Sequence, residues 1–276
     1  MKVFDNSKST LYYSLCSFIG SLLAASWILP IKASFVAAIA IAFSAFAIYA
    51  LNDIYDAKID AINNPERPIP SGRVTIRQAK TLVVALFVIS AATAATVNLA
   101  VFFFTIIFSI LGIAYSTPPV RLKDGLLANV CWGLGIAAAV LCGASVREIN
   151  SSSIIAAFPF TFLTAGCGLT KDLKDLKGDK VMNLHTLPIM LGERRAIKLM
   201  TIASVVGFPL LFLSLMTIDD NIVALAIMTL TTALFSYSLL VLYRNPASKN
   251  IYKKAYKLQA YAGFLIIVAF IICALG

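Results

Sequence analysis

Charge is what this sequence has least of. Only 13% of its 276 residues are Asp, Glu, Lys or Arg, against about 25% in an ordinary soluble protein. Hydrophobic residues make up 60%, and the mean hydropathy is +0.88. Too few polar side chains remain to cover a water-facing surface, so a polytopic membrane protein is expected. Other absences narrow the chemistry. A single histidine, His185, argues against histidine-based catalysis and against a histidine metal site. Cys16, Cys131, Cys142, Cys167 and Cys273 fall in apolar stretches without Cys-x-x-Cys spacing. That fits packing in a membrane core better than a disulfide framework or a metal centre. There is no Gly-x-Ser-x-Gly elbow and no Gly-x-x-x-x-Gly-Lys loop, the marks of a serine hydrolase and of a P-loop. The apolar runs are continuous rather than alternating, which points to helices and away from an outer-membrane barrel. No small-residue cleavage site follows the first run, so it is read as a helix that stays.

What the sequence does have is long apolar runs. A crossing helix takes about 20 apolar residues. Nine stretches qualify: 10–29, 33–51, 78–97, 99–115, 125–145, 152–170, 195–216, 221–242 and 256–275. The segments between them sort by charge. With the N-terminus on side one, that side collects 21 Lys and Arg residues, and the other keeps only Lys32 and Arg147, beside Glu148, Asp219 and Asp220. The positive-inside rule then puts the N-terminus and the loops 52–77, 116–124 and 171–194 in the cytoplasm of a cell-membrane protein, with the C-terminus outside. The same rule, with attraction to anionic membrane lipids, accounts for the net charge of +10 without a nucleic-acid partner. The expected architecture is all-α: one transmembrane bundle of nine helices over residues 1–276.

The few acids are not scattered. NDIYDAKID (52–60) carries Asp53, Asp56 and Asp60 directly after an apolar run, and KDLKDLKGDK (171–180) carries Asp172, Asp175 and Asp179. Each aspartate of the second set lies 119 positions after its counterpart in the first. The spacing i, i+3, i+7 puts three carboxylates on one helical face. Two triads in register imply an internal duplication, with helices one to four and five to eight as pseudo-two-fold halves and a ninth added (4+4+1). Carboxylates crowded on one face repel unless a cation lies among them. Mg²⁺ suits such oxygens, because it binds through one or two carboxylates plus waters and substrate phosphates. Two triads facing each other would hold two Mg²⁺ ions bridged by a diphosphate, neutralising the charge of a departing pyrophosphate. One triad by itself reads better as a solvated charged loop; two in register on one side of the membrane favour a site.

This pair of motifs, N-D-x-x-D-x-x-x-D and a later D-x-x-D-x-x-x-D, resembles the UbiA superfamily of intramembrane prenyltransferases. The flanks INNPERPIPSGR (62–73), YSTPPVRLK (115–123) and GDKVMNLHTLPIMLG (178–192) agree, and the likeness covers essentially the whole chain. It implies Mg²⁺-dependent transfer of a polyprenyl group from its diphosphate: the allylic C–O bond ionises and an acceptor attacks the carbocation. It further implies that Asn52 and Asp56, supported by Asp53 and Asp60, hold one ion, and that Asp172 and Asp175, with Asp179, hold the other. Asp56 and Asp175 are thereby catalytic. A greasy cavity would take the isoprenoid tail and keep water from the cation.

Basic and aromatic neighbours complete the expectation. Arg67, in a proline-restricted stretch, contacts phosphate by the same resemblance, whereas Arg77 and Lys80 read as cytoplasmic anchors and Arg73 stands between the two roles. Pro118 and Pro119 end a helix after Tyr115 and Ser116, aiming Arg121 and Lys123 along a rigid turn as a diphosphate clamp. For either cation alone the positive-inside reading competes evenly; family position favours function, above all for Lys123. Tyr115 reads equally as a π-face near the carbocation and as an interfacial tyrosine. Lys171 is a further phosphate candidate, His185 reads as loop packing, and RNPASKNIYKKAYK (244–257) as a headgroup-binding segment. One departure stands out. The Arg-Pro pair frequent near the first helix of the family is missing from NSKSTLYYSLCSF (6–18), where Lys8 is the nearest cation.

Within the superfamily, DLKDLKGDK, TLPIMLG and INNPERPIPS look most like the archaeal digeranylgeranylglyceryl phosphate synthases. The acceptor would then be geranylgeranylglyceryl phosphate, its free hydroxyl the nucleophile, in ether-lipid (phospholipid) synthesis. An aromatic or chlorin-type acceptor is the alternative. A divalent-cation transporter is the remote one, since such acids usually lie at mid-membrane on broken helices.

Overall fold

The computed structural model describes residues 7–24, 30–181, 184–218, 220–244 and 248–275. Asp219, Met182 and Asn183, all cited from the sequence, lie outside the described residues. Among those described there is no strand. Ten α-helices follow one another: α1 (Ser7–Ala24), α2 (Ile31–Asn63), α3 (Ile76–Ala95), α4 (Leu99–Ser116), α5 (Ala128–Ala144), α6 (Ser151–Val181), α7 (Leu187–Leu191), α8 (Glu193–Met216), α9 (Ile222–Arg244) and α10 (Lys249–Leu275). A 3₁₀ turn at Leu122–Asp124 precedes α5. Seven of these, α2, α3, α4, α6, α8, α9 and α10, are long and apolar enough to cross a membrane; α1 and α5 are shorter apolar helices. The all-helical membrane class expected from hydropathy is therefore the class observed.

Two helix ends differ from the hydropathy reading. α2 and α6 do not stop near residues 51 and 170 but run to Asn63 and Val181, making 33 and 31 residues. At 1.5 Å per residue each is about 45–50 Å long, against a hydrocarbon core of about 30 Å. The surplus turns carry the acidic triads. Nothing in 52–61 breaks a helix, and α2 ends only at Asn64 and Pro65. The fifth apolar stretch is also shorter than expected: α5 has 17 residues.

The described chain clusters into two compact units. The first holds α1 to α4 through Arg121, together with Ala138–Glu148; the second holds Leu122–Ala137 and everything from Ile149 onward. The boundary between the two compact units thus falls inside α5. Each part of α5 has its own packing. In the first unit, Ser21 Oγ on α1 donates to the Gly143 carbonyl (3.0 Å). In the second, Thr161 Oγ1 on α6 donates to the Gly133 carbonyl (3.3 Å).

Small polar residues recur where helices touch, as expected where lipid removes the hydrophobic drive between them. In the first unit, Ser44 on α2 and Ser109 on α4 share a buried hydrogen bond of 2.7 Å, and Ser90 on α3 donates to the Ala40 carbonyl on α2 (2.7 Å). In the second, Gln259 on α10 donates to Ser238 on α9 (3.1 Å), and the rings of Phe160 and Phe270 lie 5.8 Å apart.

The connections after α2 and α6 repeat as well. Pro68-Ile69-x-x-Gly72 and Pro188-Ile189-x-x-Gly192 lie 120 positions apart, one more than the aspartates. Both glycines are in the left-handed region, at φ +75° and +83°, where an L side chain is strained. The duplication therefore extends past the acidic helices into the loops they feed.

Candidate functional site

In the first unit, α2 presents Asn52, Asp53, Asp56 and Asp60 on its protruding turns. Asn52 Nδ2 donates to Asp56 Oδ2 (2.7 Å), one helical turn away. Arg67 returns from the loop and donates through Nη1 to Asp53 Oδ1 (3.0 Å) and Asp60 Oδ2 (2.8 Å). Arg121 Nη2 donates to the other oxygen of Asp56 (2.9 Å). Two arginines, one 7 and 14 positions and the other 65 positions from the acids they meet, thus converge on one stripe of carboxylates. Arg121 holds a φ of +33°, unusual for a side-chain-bearing residue. Its N–H closes a turn onto the Thr117 carbonyl (2.8 Å). Strain in a residue that also grips an acid is a familiar mark of a functional loop. Arg73 goes elsewhere: its Nε donates to Ser71 Oγ (3.0 Å) and its Nη2 to the Glu66 carbonyl, so it ties its own loop. Tyr115, in the last turn of α4, is half-buried.

In the second unit, α6 presents Asp172, Asp175 and Asp179 in the same spacing, in a different setting. Asp172 is buried and accepts from Asn129 Nδ2 on α5 (2.8 Å). Asp175 is the open member, 45% exposed at its side chain, with Lys174 Nζ 3.7 Å from its Oδ2. Lys174 also lies over the ring of Tyr256 on α10, 5.1 Å from its centroid. Asp179 is half-buried, and its carboxyl is pushed up to about 6, first by burial and then by the charges of Asp172 and Asp175; Lys171 opposes and Asp124 adds. Leu184 N–H donates to the Asp179 carbonyl (3.0 Å) and His185 N–H to the Asp124 carbonyl (2.9 Å), which folds the loop back onto the 3₁₀ turn holding Lys123. The His185 side chain is exposed, so packing is not its role. Lys171 is exposed too, and Lys123 half-buried.

The structure therefore joins Arg67 and Arg121 to the first stripe and leaves Arg73 out of it. It adds one residue the sequence reading did not name, Asn129. The signal for it was a lone amide in the apolar run 125–145.

The carboxylates are chemically apt for a hard divalent cation; the affinity of Asp179 for a proton is raised first by burial and then by the charges of Asp172 and Asp175, the part that a cation would relieve. Among the described residues, no three acidic, histidine or cysteine groups cluster tightly enough to cage an ion.

The chain is similar to known proteins over most of its length. The chain is 30% identical over 269 residues to a digeranylgeranylglyceryl phosphate synthase of Methanobrevibacter smithii, covering 93% of this chain and 90% of that one. It is 29% identical over 228 residues to the synthase of that name from Methanosphaera stadtmanae, covering 82% and 81%. Among solved structures, a digeranylgeranylglyceryl phosphate synthase superposes with a TM-score of 0.82 at 23% identity, over 99% of this chain and 96% of that one. A UbiA homolog from Archaeoglobus fulgidus bound to GPP and Mg²⁺ gives 0.69 at 20% identity, over 98% and 99%. These two share the fold. The sequence pattern of the UbiA prenyltransferase family matches residues 13–274, taking in both acidic stripes and every helix between them. On that match the chain belongs to the UbiA prenyltransferase family and is an integral-membrane prenyltransferase.

Proposed function

We propose that this protein transfers a geranylgeranyl group from its diphosphate to the free hydroxyl of geranylgeranylglyceryl phosphate, in archaeal ether-lipid synthesis. The observation that carries the chemistry is the first stripe, where Arg67 and Arg121 meet Asp53, Asp56 and Asp60 at 2.8–3.0 Å. Carboxylates for a cation and guanidinium groups for phosphate stand side by side. The acceptor is supported by relatives that bear the synthase name, two of them matching nearly the full length of this chain.

On this reading Asn52, Asp53, Asp56 and Asp60 hold one Mg²⁺, and Asp172, Asp175 and Asp179 a second. When bound, the ions neutralise charge on the departing diphosphate. The chain supplies the rest. Arg67, Arg121, Lys123 and Lys171 bind the phosphates, and Arg67 and Arg121 are already aimed by the acids they touch. The apolar helices exclude water from the allylic cation, and Tyr115 offers a π-face to it. The C1–O bond breaks with its electron pair going to pyrophosphate. The acceptor oxygen then bonds to C1 and its proton passes to the released pyrophosphate. The acidic stripes face the cytoplasm, by the charge asymmetry of the loops.

The test is a panel: purified protein, Mg²⁺ and radiolabelled geranylgeranyl diphosphate, offered geranylgeranylglyceryl phosphate, hydroxybenzoate or dihydroxynaphthoate. Pyrophosphate should appear only with the first. Turnover with an aromatic acceptor instead would reassign the acceptor. Pyrophosphate release that survives Asp56→Ala and Asp175→Ala together would overturn the site.

A further inference from the structure

The acids of the two units are held differently, and the difference isolates one residue. In the first unit Asp53 takes its hydrogen bond from a cation, Arg67. In the second, the counterpart Asp172 takes it from a neutral amide, Asn129 Nδ2, at 2.8 Å. The duplication offset of 119 places Thr10 where Asn129 stands, and the Thr10 hydroxyl is buried without a hydrogen-bond partner. Position 10 thus has no amide to match Asn129; in the first unit an amide hydrogen bond falls on Asp56 instead, from Asn52 (2.7 Å).

That grip is built in. Asn129 is 5% exposed and Asp172 8%. The Asn129 Oδ1 lies against Gly168, one turn before Asp172 on α6. A Cβ at Gly168 would come within 1.8 Å of that oxygen and within 3.1 Å of the Trp132 ring. Only glycine leaves room for the amide to sit beside α6 and reach the carboxylate. Two positions 39 residues apart thus serve one hydrogen bond.

We propose that Asn129 is a positioning residue for the metal-binding aspartate Asp172, with Gly168 as the notch that admits it. The inference rests on the reading of α6 as a metal stripe. A carboxylate held through one oxygen keeps its plane fixed, so less side-chain freedom is lost when its other oxygen takes a cation. Hydrogen bonds behind metal ligands are commonly worth 10–100-fold in metal affinity.

The test uses the full-length protein in detergent with inorganic pyrophosphate, and reads Mn²⁺ affinity by electron paramagnetic resonance and melting temperature in parallel. Asn129→Ala should weaken Mn²⁺ binding about 10-fold, with kcat restored at saturating Mn²⁺. Gly168→Ala leaves both polar groups intact but turns the flexible amide away, and should weaken binding to a similar degree. The double variant should be no worse than either alone, the mark of one shared interaction. If both single variants lower the melting temperature while Mn²⁺ affinity stays at the wild-type value, Asn129 is packing only and the proposal fails. Asp172→Asn separates the two levels of inference: unchanged Mn²⁺ binding there would overturn the metal reading itself.

Discussion

Arg67 illustrates how much one side chain is asked to do. Both of its bonds, to Asp53 and Asp60, come from Nη1, so the rest of the fork is not needed for them. A lysine could meet both acids with one ammonium but could not also present a planar fork to phosphate. Arg67→Lys should therefore melt close to wild type while losing at least about 10-fold in kcat/KM for the prenyl diphosphate. Arg67→Ala should lose both, since it leaves two facing carboxylates uncompensated. Steady-state kinetics with calorimetry separate the cases; equal losses in the Lys and Ala variants would mean that only the charge bridge matters. Asp179 sets the pH behaviour. Its folded carboxyl titrates near 6, above the ordinary 3.8, so between those values the folded protein binds the proton more tightly than the unfolded chain. The group favours folding below pH 4 and ceases to do so as pH rises through 6. With metal chelated, the melting temperature should fall between pH 4.5 and 7, and Asp179→Asn should flatten that fall. Allowing for its half-exposure, the effect is about 1 kcal/mol.

The loops after α2 and α6 give a prediction about helices and their ends. Gly72 and Gly192 have open space where a Cβ would stand, so replacing them strains only the backbone. Alanine at Gly72 should destabilise by about 1 kcal/mol, and asparagine, which tolerates left-handed φ, by clearly less; at Gly192, where ψ is 158°, the conformation is open essentially to glycine alone, so alanine and asparagine should cost alike. Equal melting temperatures for the Ala and Asn variants of Gly72 would show that conformation is not what that glycine provides. The same elements show what could be read beforehand. Apolar runs located the helices, because hydrocarbon contact fixes composition over about 20 residues. They could not locate the ends of α2 and α6, because beyond the membrane a helix is continued by charged residues that hydropathy scores as loop. The triads were legible as a 3.6-residue period inside those ends. The partners were not: Arg121 reaches Asp56 across 65 positions and Asn129 reaches Asp172 across 43, and no local pattern encodes which distant residue folds back. The five-residue α7 escaped notice for want of length.

The largest question falls on a small helix. α5 has 17 residues, about 26 Å of rise, at the lower limit for a crossing. Whether it crosses decides where the acids lie. If α1 and α5 both cross, the extensions of α2 and α6 emerge on the same side of the membrane, and Lys and Arg divide 21 against 2. If α5 alone does not cross, the two stripes emerge on opposite sides, and the division becomes 13 against 10. The positive-inside rule has real force over short loops, and an even split would leave it unused in a chain with very short loops on the other side. α5 should therefore span. Cysteines introduced one at a time at Gly125 and Glu148, ahead of and behind α5, test this with a membrane-impermeant maleimide. Gly125→Cys should be labelled only from the cytoplasmic side and Glu148→Cys only from outside. The native cysteines are buried apart from the half-buried Cys167, so a Cys167→Ser background suffices. Labelling of both positions from one side would put the two acidic stripes on opposite faces of the membrane, and no single diphosphate could then meet both.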